Sequence, residues 1–197
     1  KGSPLRSAVY KIDAKGRKTK LSTKEGTNRA IFSKSMKYYI NTFTNITTPP
    51  VITINDNTGK TLTTLVDNKR LAEKVANLHM PSKEFFTFTT SDGVELNGWM
   101  MKPANFDANK KYPVIMHQYS GPGSQRVLDQ WNIGSRSDGG MFEAYMADRG
   151  FISVCVDGRG TGGRGAAFEK CTYMNLGVKE ARDQVETALY LGSLPYV

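Results

Sequence analysis

Histidine and cysteine are the scarce residues of this chain, two of each in 197 positions. His79, His117, Cys155 and Cys171 show none of the close Cys/His spacings that a metal centre needs. No metal and no other cofactor is therefore expected. Cys155 lies inside an apolar run and reads as a small buried residue, and its pairing with Cys171 has little support from sequence. No apolar run approaches the roughly 20 residues that cross a bilayer. A secretory leader is not visible either, although a chain opening on Lys1 rather than Met is expected to lack its native start.

Positive charge, by contrast, is plentiful, with a formal net charge of +9. It is unevenly placed. Residues 1–90 carry 16 Lys/Arg against 6 Asp/Glu, whereas residues 91–197 carry 11 against 12. Such asymmetry points to two regions with different surfaces. A basic half can mark a nucleic-acid face. Here the lysines fall singly in turns such as Asp13-Ala14-Lys15-Gly16 and Asn57-Thr58-Gly59-Lys60, where they are simply solvated. Nucleic acid is not an expected partner.

Residues 1–68 read as antiparallel β structure. Runs at 8–12, 19–22, 30–33, 38–43, 51–54 and 62–65 are β-rich and split by Gly, Asn and Asp turns. The unit 30–65 has the size of one propeller blade, and residues 6–22 would supply strands of the blade before it. A small free-standing β-sandwich is the alternative, but too few strands are present to close its core. Leu71, Val75 and Leu78 have helical spacing over residues 69–80, and Pro81 ends that segment. Residues 69–83 are thus a linker. After it the pattern becomes strand, helix, strand, helix. Strands are expected at 84–89, 95–102, 112–119 and 151–156, and helices at 141–149 and 178–191. That order describes an α/β sheet over 84–197. The second helix carries an apparent apolar stripe at Val178, Ala181, Val185, Ala188 and Leu189.

Ligands in such sheets sit beyond the C-terminal ends of the strands. Two loops qualify, Gln118–Gly123 and Asp157–Gly163. Gly158, Gly160 and Gly163 fit G-x-G-x-x-G, yet no acidic residue follows in a strand about 20 residues on, so a dinucleotide site lacks its context. The first loop opens on Tyr119. A tyrosine hydroxyl there can donate to a developing oxyanion. Equally, Tyr119 can be an aromatic packed at a sheet end.

Several dispersed segments, in order, carry a resemblance. They are Met80-Pro81-Ser82-Lys83, Lys111-Tyr112-Pro113-Val114, Tyr119-Ser120-Gly121-Pro122-Gly123-Ser124-Gln125, Asp157-Gly158-Arg159-Gly160-Thr161-Gly162, Leu176-Gly177 and Glu180-Ala181-Arg182-Asp183-Gln184. From Tyr10 to Gly192 the chain resembles the dipeptidyl peptidase IV branch of the prolyl-oligopeptidase family. The resemblance implies β-propeller blades followed by the N-terminal half of an α/β-hydrolase domain. It implies a Ser–Asp–His triad and release of N-terminal dipeptides from peptides with penultimate Pro or Ala. It implies a homodimeric parent enzyme, periplasmic, secreted or at the cell surface. Tyr119 matches the family's oxyanion tyrosine, where related branches carry His-Gly. Arg159 is expected to brace its loop rather than touch substrate. The alternatives are a related prolyl tripeptidyl or acylaminoacyl peptidase, or a non-catalytic binding module of the same fold.

The triad itself is not expected in this chain. No Gly-x-Ser-x-Gly occurs, and Ser193 follows Gly192 but precedes Leu194-Pro195 rather than a second glycine. Both histidines come too early to be the base in the order Ser…Asp…His, and the nucleophile would follow about ten residues after Val197. The amine-binding glutamates would lie before Lys1, and most of the proline pocket after Val197. Alone, the chain is expected to be inactive.

Overall fold

The computed structural model describes residues 2–134 and 139–197. They divide into two compact units. One comprises Lys1–Leu78 with Leu128–Trp131, and the other His79–Val127 with Asn132–Val197.

In the first unit, β1 (Tyr10–Ile12) and β2 (Lys18–Lys20) form a hairpin. Asp13 closes its turn by accepting the backbone N–H groups of Lys15 and Arg17, each at 2.9 Å. A four-stranded antiparallel meander follows, with β3 (Thr27–Phe32), β4 (Tyr38–Thr44), β5 (Val51–Asp56) and β6 (Thr61–Val66) in sequential order. Alternation along β4 buries Tyr39 and Phe43 and exposes Tyr38 and Ile40. Tyr39 packs with Val9, Leu21 and Phe32 in this unit's core. Sequence places the start of β3 at Ala30, but the strand begins at Thr27. Polar residues extend it because each has a partner: Thr27 Oγ1 donates to the Asp129 carbonyl at 2.9 Å, and Asn28 Nδ2 donates to the carbonyls of Ser7 and Lys24 at 3.1 Å. Helix α1 (Lys69–Ala76) buries no residue and stops four residues short of the expected end. The Asn77 N–H returns to the Glu73 carbonyl, and His79 then takes a left-handed φ of 48° that no helix accommodates.

In the second unit, β7 (Lys83–Thr89), β8 (Glu95–Met101), β9 (Val114–Met116) and β10 (Ile152–Asp157) form one mixed sheet in the order β7-β8-β10-β9. β10 runs parallel to β9 and antiparallel to β8. Every residue of β10 is buried. Ile152, Val154 and Val156 join Leu96, Met100, Phe88 and Leu191 in the core, and each large side chain so buried contributes roughly 1.5–3 kcal/mol. Gly98 is the one β8 position where a side chain has no room, since a Cβ there would meet the Phe86 ring and Val156 Cγ2. Helix α2 (Met141–Asp148) packs against β8 and β10 with Ala144 and Ala147 buried. Then come α3 (Ala166–Glu169), a 3-10 turn at Lys170–Thr172, and α4 (Val178–Gly192).

Helix α4 corrects one expectation. Its apolar stripe points outward, with Val178, Val185 and Leu189 at 58%, 60% and 69% exposure. The buried side is Glu180, Asp183, Thr187 and Leu191. Polar residues face inward because the sheet end beneath them offers ion-pair and hydrogen-bond partners. β9 is also shorter than expected, three residues rather than eight, with the His117 N–H still bonded to the Val154 carbonyl at 2.8 Å. Cys155 and Cys171 are not joined in a disulfide. No helix among the described residues is long and apolar enough to cross a membrane, and none of their His, Cys, Asp and Glu side chains cluster in threes that could hold a metal.

Candidate active site

Because β9 and β10 are parallel, the loops that follow them leave the sheet at the same edge. The 157–163 loop is braced from below. Arg159 donates from Nη2 to Asp183 Oδ1 at 2.6 Å and from Nε to both carboxylate oxygens at 3.0 and 3.1 Å. Its backbone N–H adds a bond to Asp183 Oδ2 at 2.6 Å. Its Nη1 reaches Asp92, in the β7–β8 turn, at 2.8 Å. The Asp183 hydrogen bonds hold the Arg159 guanidinium still more firmly protonated than usual, against the opposing effect of burial. The Thr90 hydroxyl and then Arg159 pull the Asp92 carboxyl down to about 2. With Nε, Nη1 and Nη2 all engaged by Asp183 and Asp92 and the side chain largely buried, Arg159 holds the loop in place.

The 117–127 loop is tied to this platform at four points. Asp157 ends β10, and its carboxylate accepts the backbone N–H of Arg126 at 3.0 Å and of Val127 at 2.8 Å. The Gly162 N–H donates to the Ser124 carbonyl at 2.7 Å. Glu169 Oε1 accepts the Gly123 N–H at 3.1 Å. Gln184, on α4, donates from Nε2 to Ser120 Oγ at 3.1 Å. Sequence reading names the two loops but not Asp157, Glu169 or Gln184 as their ties, since nothing in residue spacing marks a carboxylate that will cap another loop.

Tyr119 stands on this clamped loop with 63% exposure. Its ring lies over Gly121, where a Cβ would come within 2.5 Å of Tyr119 Cε1. The Arg126 guanidinium sits 5.3 Å from the ring centroid, in cation–π range. The hydroxyl makes no hydrogen bond to any described residue. A large aromatic is thus held by its ring while its polar end is left available. His117 opens this loop directly after β9, its N–H on the Val154 carbonyl, and His79 lies in the segment before β7.

Comparison with known proteins bears on what such a loop is for. The Prolyl oligopeptidase family model matches residues 141–197, and the Dipeptidyl peptidase IV N-terminal region model matches residues 1–50. The crystal structure of Porphyromonas gingivalis dipeptidyl peptidase 4 superposes with a TM-score of 0.92 at 49% identity, covering 99% of this chain and 27% of that one. The chain belongs to the prolyl-oligopeptidase family. Within that family it is of the dipeptidyl peptidase IV type, and its fold is propeller blade sheet followed by α/β-hydrolase. A protein of Sclerotinia sclerotiorum described as a probable dipeptidyl-aminopeptidase B is 37% identical over all of this chain and 21% of its own length. One of Aspergillus flavus, described as a probable dipeptidyl peptidase 4, is 31% identical over 85% of this chain and 21% of its own length. The chain thus spans about a fifth of these curated family members.

Proposed function

We propose that this chain is the oxyanion-loop segment of a serine exopeptidase that releases N-terminal dipeptides with penultimate Pro or Ala. The serine, aspartate and histidine of the triad come from outside the chain, which alone hydrolyses nothing. In the longer protein the serine attacks the carbonyl carbon of the second residue. The Tyr119 hydroxyl then donates to the oxygen as it gains charge, where one such donor is worth about 2.7–4 kcal/mol. Collapse of that intermediate expels the shortened peptide, and water releases the dipeptide from the acyl-enzyme. On the same reading the blades end near residue 68, a linker runs over 69–83, and the peptidase domain begins at 84. The parent protein is homodimeric and works outside the cytoplasm.

The observation that carries this reading is Tyr119 itself: exposed, fixed at its ring by Gly121 and Arg126, and open at its hydroxyl. A packing tyrosine would bury the ring and partner the hydroxyl. The test uses the full-length protein. It is expected to release chromophore from Gly-Pro and Ala-Pro anilides and to be blocked by a serine-reactive reagent. Cleavage of lipid esters in place of these peptides would overturn the assignment, and release of tripeptides would move it to the sister activity.

A further inference from the structure

We propose that Gln184 is a positioning residue for the oxyanion tyrosine, acting through Ser120. The inference rests on the reading of Tyr119 above and extends it to α4. Ser120 directly follows Tyr119, is buried, and has a φ of 52°, a left-handed conformation that a side-chain-bearing residue adopts only at a cost. Such a conformation persists where its surroundings over-determine it. The Ser120 φ sets the direction in which the chain leaves Tyr119, and so where the ring can lie over Gly121.

Gln184 supplies the constraint. Its amide nitrogen donates to Ser120 Oγ at 3.1 Å and to the Val156 carbonyl at 3.2 Å. The Val156 carbonyl is an acceptor only, which fixes the amide orientation and leaves the second N–H for Ser120. One side chain therefore ties the left-handed residue beside Tyr119 to the end of β10. Next to it in sequence, Asp183 is fully buried and held by Arg159, so the helix that carries Gln184 is itself anchored to the same loop platform. A glutamine that served helix stability alone would need neither partner.

The full-length peptidase carrying Gln184→Met keeps the side chain's length and loses both donors. Loss of one neutral hydrogen bond at the site is expected to lower kcat about tenfold. KM should stay within about twofold, because the effect falls on a transition-state donor rather than on substrate binding. Ser120→Ala should give the same loss, and the double variant should lose no more than either single. Melting curves on each variant confirm that the fold persists, and Ser120→Ala alone serves if Gln184→Met does not fold. The deciding measurement is Gln184→Met in a Tyr119→Phe background, where no further loss of kcat is expected. An equal loss in both backgrounds would overturn the inference while leaving Tyr119 in its role. If Tyr119→Phe alone leaves kcat near normal, the reading of Tyr119 falls, and this inference with it.

Discussion

Arg159 and Asp183 meet through four hydrogen bonds, three from the guanidinium and one from the Arg159 backbone, around a carboxylate with no solvent exposure. The pair joins the loop after β10 to the middle of α4. A buried pair of this kind adds little net stability over an apolar replacement, but losing one partner leaves an uncompensated charge. Arg159→Met is therefore expected to destabilise the fold by about 3–5 kcal/mol, read as a lowered denaturant midpoint. Arg159→Lys should recover only part of the loss, because an ammonium cannot reproduce the two-edged contact. A variant within experimental error of wild type would show that the pair is not the brace.

The outer arm of this brace responds to pH. The Asp92 carboxyl is lowered to about 2, first by the Thr90 hydroxyl and then by Arg159. A depressed carboxyl contributes stability that is complete above its unfolded value near 4 and is lost as pH falls through the folded value. Asp92→Asn should therefore lower the melting midpoint at pH 7, and the difference from wild type should shrink between about pH 4 and pH 2. A difference that stays constant across that range would rule out the carboxylate as its source.

Tyr119→Phe removes one hydroxyl and keeps the ring. As an oxyanion donor, that hydroxyl is worth roughly 100- to 1000-fold in kcat. As an ordinary packing group it is worth only about 1 kcal/mol of stability. In the full-length enzyme kcat should collapse while the melting midpoint hardly moves.

Gly121→Ala probes the ring rather than the hydroxyl. The new Cβ would sit 2.5 Å from Tyr119 Cε1 and 3.1 Å from Cδ1, so the ring must turn away. The ring is 63% exposed and outside the core, so displacing it from Gly121 should change stability by less than about 1 kcal/mol. A fall in kcat with unchanged folding is the expected result, and normal kcat would mean that the ring's place over Gly121 is incidental.

Helix α4 offers a paired test of its orientation. Leu191 is 2% exposed and packs in the core, and Leu191→Ala should cost about 2–5 kcal/mol. Leu189 is 69% exposed, and Leu189→Gln in this chain should stay within about 0.5 kcal/mol of wild type. Equal losses at both positions, by thermal or urea unfolding, would contradict the orientation described.

The contrast at α4 shows where sequence reading succeeds and where it stops. Periodicity locates the helix almost to the residue, because the apolar spacing is helical. The same periodicity misjudged the inward face, since it assumes that apolar means buried. Asp183 and Thr187 point inward because Arg159 and the helix's own carbonyl at 183 satisfy them, and such partners cannot be read from spacing. The strands were legible wherever β-branched and aromatic residues alternate, as in β4. The first half of β3, with Thr27 and Asn28, was not, because side-chain bonds to distant residues rather than burial of apolar surface hold it. At the site, the loop that carries Tyr119 is legible from its place after a strand and from its family motif. Its ties through Asp157, Glu169 and Gln184 exist only once three loops and a helix converge.

The short excursion Leu128–Trp131 means that the first unit is not one continuous stretch of chain. Asp129 lies on that excursion, and its carboxylate accepts from Arg6 Nε at 2.8 Å and from the Ile46 N–H at 3.1 Å, while the Trp131 N–H donates to Thr44 Oγ1 at 3.1 Å. A gene cut in residues 69–83 would separate the strands from these four residues and leave the Ile46 amide and Thr27 hydroxyl without their acceptors. A single crossover in residues 69–83 would therefore also exchange the partners of Arg6, Thr27, Thr44 and Ile46, so that these contacts of the strands are written in sequence far beyond the strands themselves.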